Sequence, residues 1–163
     1  MKRIWIFLCV LYGCSSTAQS FLKDSKPYIK PFDQLDAPIL MDHIDQIADQ
    51  ARIVGLGEVS HYTKECYQLK HQIIKKLIEK GFQALVLEVD FGQALLWNAY
   101  VTKGEGDLDQ LVAQSGWFTY RTQEFKDLLI DIRAHNATAA VPFQIFGMEM
   151  TAMQSNLNWL VAY

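Results

Sequence analysis

The sequence predicts an α/β domain with a parallel-sheet core and helical crossovers, and three observations lead there. Three short apolar runs, 53–56, 84–89 and 143–148, have the length and residue choice of buried strands. Longer segments between them carry apolar residues at three- and four-residue spacing, the pattern of helices that cover a sheet. Glycines at 57, 81, 104 and 116 close successive segments, where the chain must turn. With 163 residues, half of them apolar and a fifth charged, the chain suits one domain with a hydrophobic core rather than a disordered tail.

The first 18 residues read as an export leader. Lys2 and Arg3 precede an apolar stretch from Ile4 to Tyr12, and small residues follow from Gly13 to Ala18. The stretch is shorter than the roughly 20 apolar residues that span a bilayer. Two processing readings are open. In one, Leu11-Tyr12-Gly13-Cys14 acts as a lipoprotein box, so Cys14 anchors the mature chain in a membrane; in the other, Ser16 and Ala18 form a secretory cleavage site and the product is periplasmic. Incorporation of a fatty-acid probe distinguishes them. Either way Cys66 is the one cysteine left in the mature domain, so no disulfide framework is expected. Residues 19–38, with Pro27, Pro31 and Pro38 among polar residues, read as a tether.

The domain proper is expected over 39–163. Leu40, Ile44, Ile47 and Ala48 fall on one face of a short helix. The first strand, Ile53-Val54-Gly55-Leu56, should be buried on both faces and end in a tight turn at Gly57. Thr63 is placed to cap a helix to Lys80, with Leu69, Ile73, Ile74, Leu77 and Ile78 as its stripe and Gly81 as its stop. A second buried strand follows from Ala84 to Val89. Then come a helix carrying Ala94, Leu95, Trp97 and Tyr100 that breaks at Gly104 and Gly106, and a short one from Leu108 to Ala113. After the aromatic cluster Trp117, Phe118 and Tyr120 come a helix from Thr122 to Ala134, the third strand, and a new helical pattern from Thr151. Three strands make a thin parallel sheet, so the domain is expected to be incomplete as given.

Each predicted strand ends in acid: Glu58 after the first, Glu88 and Asp90 after the second, Glu149 after the third. In an open parallel sheet the ligand crevice lies beyond the carboxyl ends of the strands, so these groups should share one rim. Massed carboxylates repel one another unless a cation or a histidine compensates, and His61 is placed to do so. An imidazole held by a carboxylate is a competent general base for water. Glu58, His61 and Glu88 are therefore the candidate catalytic residues. Asp90, His71, Trp117 and Glu149 are the candidate substrate-binding residues. No metal and no cofactor are assigned, although one histidine with two carboxylates also suits several divalent ions.

Other chemistries fit less well. Gly55, Gly57 and Ser60 approach a dinucleotide fingerprint, but Ser60 stands where the third glycine belongs and Glu58 puts negative charge where a pyrophosphate would sit. No G-x-S-x-G elbow offers a serine nucleophile. The net charge of -3, without a long basic run, argues against nucleic acid.

The run Val54–His61 (VGLGEVSH), followed by Lys64–Ile74 (KECYQLKHQII) and Gly81–Gly92 (GFQALVLEVDFG), resembles the erythromycin esterase family. So do Trp97–Asp107, the cluster Trp117–Thr122 and the run Phe143–Met150. The resemblance implies a hydrolase that opens an ester or a macrolide-type lactone, a small-molecule substrate, with neither an obligatory metal nor a covalent acyl intermediate. It implies His61 as the base that activates water, with Glu58 and Glu88 orienting it, and antibiotic resistance if macrolides are the substrate. It also implies a longer domain with a second catalytic histidine in its carboxyl-terminal part, which no segment here matches. By analogy with related folds, the alternative occupant of the crevice is haem or a metal ion held by a lipoprotein, and a third reading is an inactive fragment.

Overall fold

A computed structural model describes residues 38–57, 61, 63–151, 156 and 157. The leader and tether read in 1–37, the residues Glu58 and Ser60, and most of the helical pattern after Thr151 lie outside the described residues. All that is described falls within the unit Gln34–Tyr163.

The described elements run α1 (Pro38–Ala48), α2 (Lys64–Glu79), β1 (Ala84–Asp90), α3 (Phe91–Lys103), α4 (Leu108–Ala113), a 3-10 turn (Phe118–Tyr120), α5 (Gln123–Asn136) and β2 (Gln144–Glu149). This is the predicted α/β class, since β1 and β2 pair in parallel and the helices α3, α4 and α5 make the crossover between them.

Local chemistry sets most helix ends. Asp107 accepts from the Gln110 N–H at 2.9 Å and starts α4, and Thr122 accepts from the Phe125 N–H at 3.2 Å and starts α5. Thr63 precedes α2 as expected, but its side chain makes no capping bond. Gly104, at φ 77°, closes α3 in the left-handed conformation that a side chain would resist. Gly81 closes α2 likewise at φ 89°, with Phe82 N–H reaching back to the Leu77 carbonyl at 3.1 Å.

The main core lies between the sheet and helices α2, α3 and α5. It joins Ile74 and Ile78 of α2, Val89 of β1, Trp97 and Val101 of α3, Phe125, Leu129 and Ile132 of α5, and Ile145 of β2. Trp97, fully buried, meets Phe125 and Tyr120 edge-on at centroid distances of 4.6 and 5.4 Å. A smaller cluster, Ile44, Ala48, Ile73 and Leu77, seats α1 on α2. Two asparagines tie down the start of β2. Asn136 accepts from Phe143 N–H at 2.7 Å and donates to the Val101 and Phe143 carbonyls at 2.9 Å, while Asn98 accepts from Ile145 N–H at 2.8 Å. Both supply backbone groups that the ladder does not.

Two expectations are corrected. Residues 53–57 form no strand: Ile53 is 89% exposed, and neither Gly55 nor Gly57 takes a positive φ. Val54 and Leu56 still pack partly against the core clusters, which accounts for the apolar run without a ladder. Second, β1 is covered on one face only. Leu85, Leu87 and Val89 turn inward, whereas Ala84, Val86 and Glu88 are exposed. An apolar run records β propensity and not whether a second helical layer is present.

Helices α2 and α5 are linked through Asp131, which holds Lys75 at 2.8 Å and His71 at 3.1 Å. The hydrogen bond from Lys75 first, opposed by partial burial and aided by the charges of Lys75 and His71, holds the Asp131 carboxyl below its ordinary value. A carboxylate with a lowered folded pKa contributes stability that is complete above the unfolded value of about 3.9 and is lost as pH falls through the folded value. The group is partly exposed, so the contribution is at most about 1 kcal/mol. Urea midpoints of wild type and Asp131→Asn are expected to differ at pH 6 and to converge as pH falls below the unfolded value of about 3.9 and on through the folded one. A difference that persists unchanged into acid would remove the electrostatic explanation.

Candidate active site

The register of the sheet pairs Asp90 with Glu149, so the carboxyl ends of both strands reach one rim. Glu88, Asp90 and Glu149 are brought to this rim as the sequence predicts. Their environments differ sharply. Asp90 is 4% exposed, and Trp117 Nε1–H donates to its Oδ2 at 2.9 Å. Its Oδ1 accepts longer bonds of 3.4 Å from Thr151 Oγ1 and from Asn156 Nδ2. Such a set of donors is what a buried carboxylate, which only accepts when ionised, requires. Glu149 is half-buried, and Glu88 is exposed.

Between the pairs Leu87 with Gly147 and Asp90 with Glu149 the register shifts, so Glu88 and Val89 together face Met148 alone. This is a bulge of one extra residue on β1. The Glu88 carbonyl there accepts a hydrogen bond from Tyr120 Oη at 3.3 Å.

Trp117 and Tyr120 both belong to the loop 114–122, which is fastened to itself. The Ser115 hydroxyl accepts from Trp117 N–H at 3.2 Å, and Arg121 donates to the Ser115 carbonyl through Nε and Nη2 at 2.8 and 2.5 Å. Ser115 is fully buried. The loop therefore presents Trp117 and Tyr120 to the end of β1 from a fixed base.

His61 is exposed and stands shortly before α2. Its proposed partner Glu58 lies outside the described residues, so the pairing of Glu58 with His61 does too. His71 is placed elsewhere, on α2 against Asp131 of α5. Cys66 on α2 is a half-buried free thiol. Among the described residues no group of three or more His, Cys, Asp or Glu is arranged to hold a metal ion, and the set of Glu58, His61 and Glu88 is not wholly among them.

Asn156 is the rim residue that the sequence reading missed. It is 6% exposed, and its Oδ1 accepts from Gly92 N–H at 2.8 Å while its Nδ2 reaches Asp90. It thus serves a backbone N–H in the first turn of α3 that has no intrahelical partner. No local signal marks it, because its partners stand more than sixty positions upstream.

The erythromycin esterase profile matches residues 77–163, just over half of the chain. Among curated proteins, an erythromycin esterase type II of Escherichia coli is 28% identical over 106 residues, 64% of this chain and 25% of its own length. A crystal structure of a Bacillus cereus protein matches with a TM-score of 0.70 and 31% identity, over 86% of this chain and 35% of that one. The crystal structure of a succinoglycan biosynthesis protein matches with a TM-score of 0.63 and 28% identity, over 79% and 31% respectively. The chain thus spans about a quarter of the curated relative and about a third of each solved one.

Proposed function

Because the chain belongs to the erythromycin esterase family, we propose that it carries part of the site of a hydrolase that opens an ester or a macrolide-type lactone with water activated by His61. The observation that supports this most is the rim, where the strand-end residues Glu88, Asp90 and Glu149 gather beside a loop locked onto Asp90. In this reading the His61 imidazole takes a proton from water as that water attacks the ester carbonyl, and returns it to the leaving alcohol. Glu58 and Glu88 orient the imidazole or the water. Asp90, Trp117 and Glu149 shape the substrate side of the crevice. His71, engaged with Asp131, is given no substrate contact.

The activity is proposed for protein of the relatives' length, since this chain covers about a quarter of the curated one. Incubation of that protein with erythromycin in ¹⁸O-water is expected to give the ring-opened acid with one heavy oxygen in the new carboxylate. Acid-quenched enzyme should keep its own mass. An acyl adduct on the enzyme would replace direct water attack with a covalent route, and an intact lactone would remove macrolides as substrate.

A further inference from the structure

The bulge at the end of β1 has a chemical effect. In a regular strand, side chains two positions apart share a face, so Glu88 and Asp90 would stand on the same side. Their burial differs: Glu88 continues the exposed series of Ala84 and Val86, Val89 turns into the core, and Asp90 is buried directly after it. The extra residue falls between two carboxylates that a regular strand would set on one side. One is sunk beneath its donors, and the other is left at the surface of the rim.

Three neighbours fit this distortion. Gly147, paired with Leu87, borders it on β2, and a Cβ there would come within 2.5 Å of the Val89 carbonyl oxygen and 2.8 Å of that of Asp90, so any larger residue would force the backbone to shift. Tyr120 Oη donates to the Glu88 carbonyl within the irregularity, and Trp117 Nε1–H holds Asp90 just beyond it. The two aromatic residues come from the loop fastened by Ser115 and Arg121, so both ends of the bulge are held from one support.

We propose that Tyr120, Trp117 and Gly147 hold this irregularity so that the Glu88 carboxylate stays at the surface of the rim while Asp90 is buried, which makes them positioning residues for Glu88. The inference rests on the proposed role of Glu88 in orienting the base or the water. Bulges re-aim side chains beside reacting groups, and a misplacement of about 1 Å can cost as much as 100-fold in rate.

Ester hydrolysis by protein of the relatives' length tests it through Glu88→Gln, Tyr120→Phe and their combination. Tyr120→Phe removes one hydroxyl and is expected to lower kcat about tenfold with KM within about twofold, the split that marks an interaction made in the transition state. Because the tyrosine acts through Glu88, the double variant should be no slower than Glu88→Gln alone; losses that multiply would show an independent structural effect and overturn the proposal. Gly147→Ala is expected to act in the same direction and more strongly. If it does not fold, Tyr120→Phe and the double variant still decide. An inactive Glu88→Gln beside a Tyr120→Phe of wild-type kcat overturns the positioning alone. A Glu88→Gln of wild-type activity overturns the role of Glu88 and the inference with it.

Discussion

Replacing His61 by alanine is expected to lower ester or lactone hydrolysis by about 10² to 10⁴, the range that a positioned general base supplies. At 1.36 kcal/mol per decade this is about 3–5 kcal/mol of transition-state stabilisation. The fall should appear in kcat more than in KM, because the imidazole takes its proton during reaction and contributes little to holding the ground state. His61 is exposed and outside the helices, so its truncation leaves the core intact. A far-ultraviolet circular dichroism spectrum and a urea midpoint matching wild type would show that the loss is chemical. Hydrolysis within about threefold of wild type would remove His61 as the base.

The second large effect falls on stability. Trp97→Ala is expected to cost about 3–5 kcal/mol, the usual result of deleting a fully buried aromatic side chain. Trp97 is inaccessible to solvent, touches Tyr120 and Phe125 edge-on, and donates Nε1–H to the Leu111 carbonyl at 3.3 Å. It thereby joins α3, α4, the 3-10 turn and α5 in one contact region. Against a typical total of about 5–15 kcal/mol, the deletion approaches the limit of folding. Urea unfolding followed by circular dichroism reads the shift, and Trp97→Phe, which keeps a ring in the cluster, should recover part of it. A loss below about 1 kcal/mol in Trp97→Ala would mean that this cluster is not the stabilising centre. The prediction also bears on the rim, because Tyr120 packs on Trp97 and donates to Glu88.

Helices were legible because their signals are local. The α2 stripe Ile73, Ile74, Leu77 and Ile78, the start of α5 at Thr122 and the glycine stops at 81 and 104 all act within a few residues of where they stand. Strands were less so. The runs ending at Val89 and Met148 proved to be strands to within about two residues, yet the run 53–56, with the same kind of residues, is not one. A strand exists only through a neighbour in a ladder, and no property of Ile53-Val54-Gly55-Leu56 specifies that neighbour.

The candidate site divides along the same line. Acids at the ends of strands can be read from the sequence, and Asp90 and Glu149 do meet in register. That Asp90 would be buried beneath Trp117 while Glu88 stays exposed could not be read, because the groups that cover Asp90, from Trp117, Thr151 and Asn156, reach it only after folding. Asn156 was invisible for a related reason: its value lies in an N–H and a carboxylate that come near it only after folding. His71, a candidate for the substrate side, is set by the packing of α2 on α5 against Asp131, a partner sixty positions away that no local pattern names.

The sequence by itself determined the α/β class, the helix limits, the acids available at the strand ends and, through its pattern of motifs, the family. These follow from periodicity, capping and turn chemistry, which are set by residues a few positions apart. Tertiary structure alone decided that β1 pairs with β2 rather than with the run at 53–56, that one of two neighbouring acids is sunk beneath its donors, and that a loop thirty residues downstream holds the end of β1. Each of those depends on register and burial, which come from contacts between distant segments and leave no mark in any one of them.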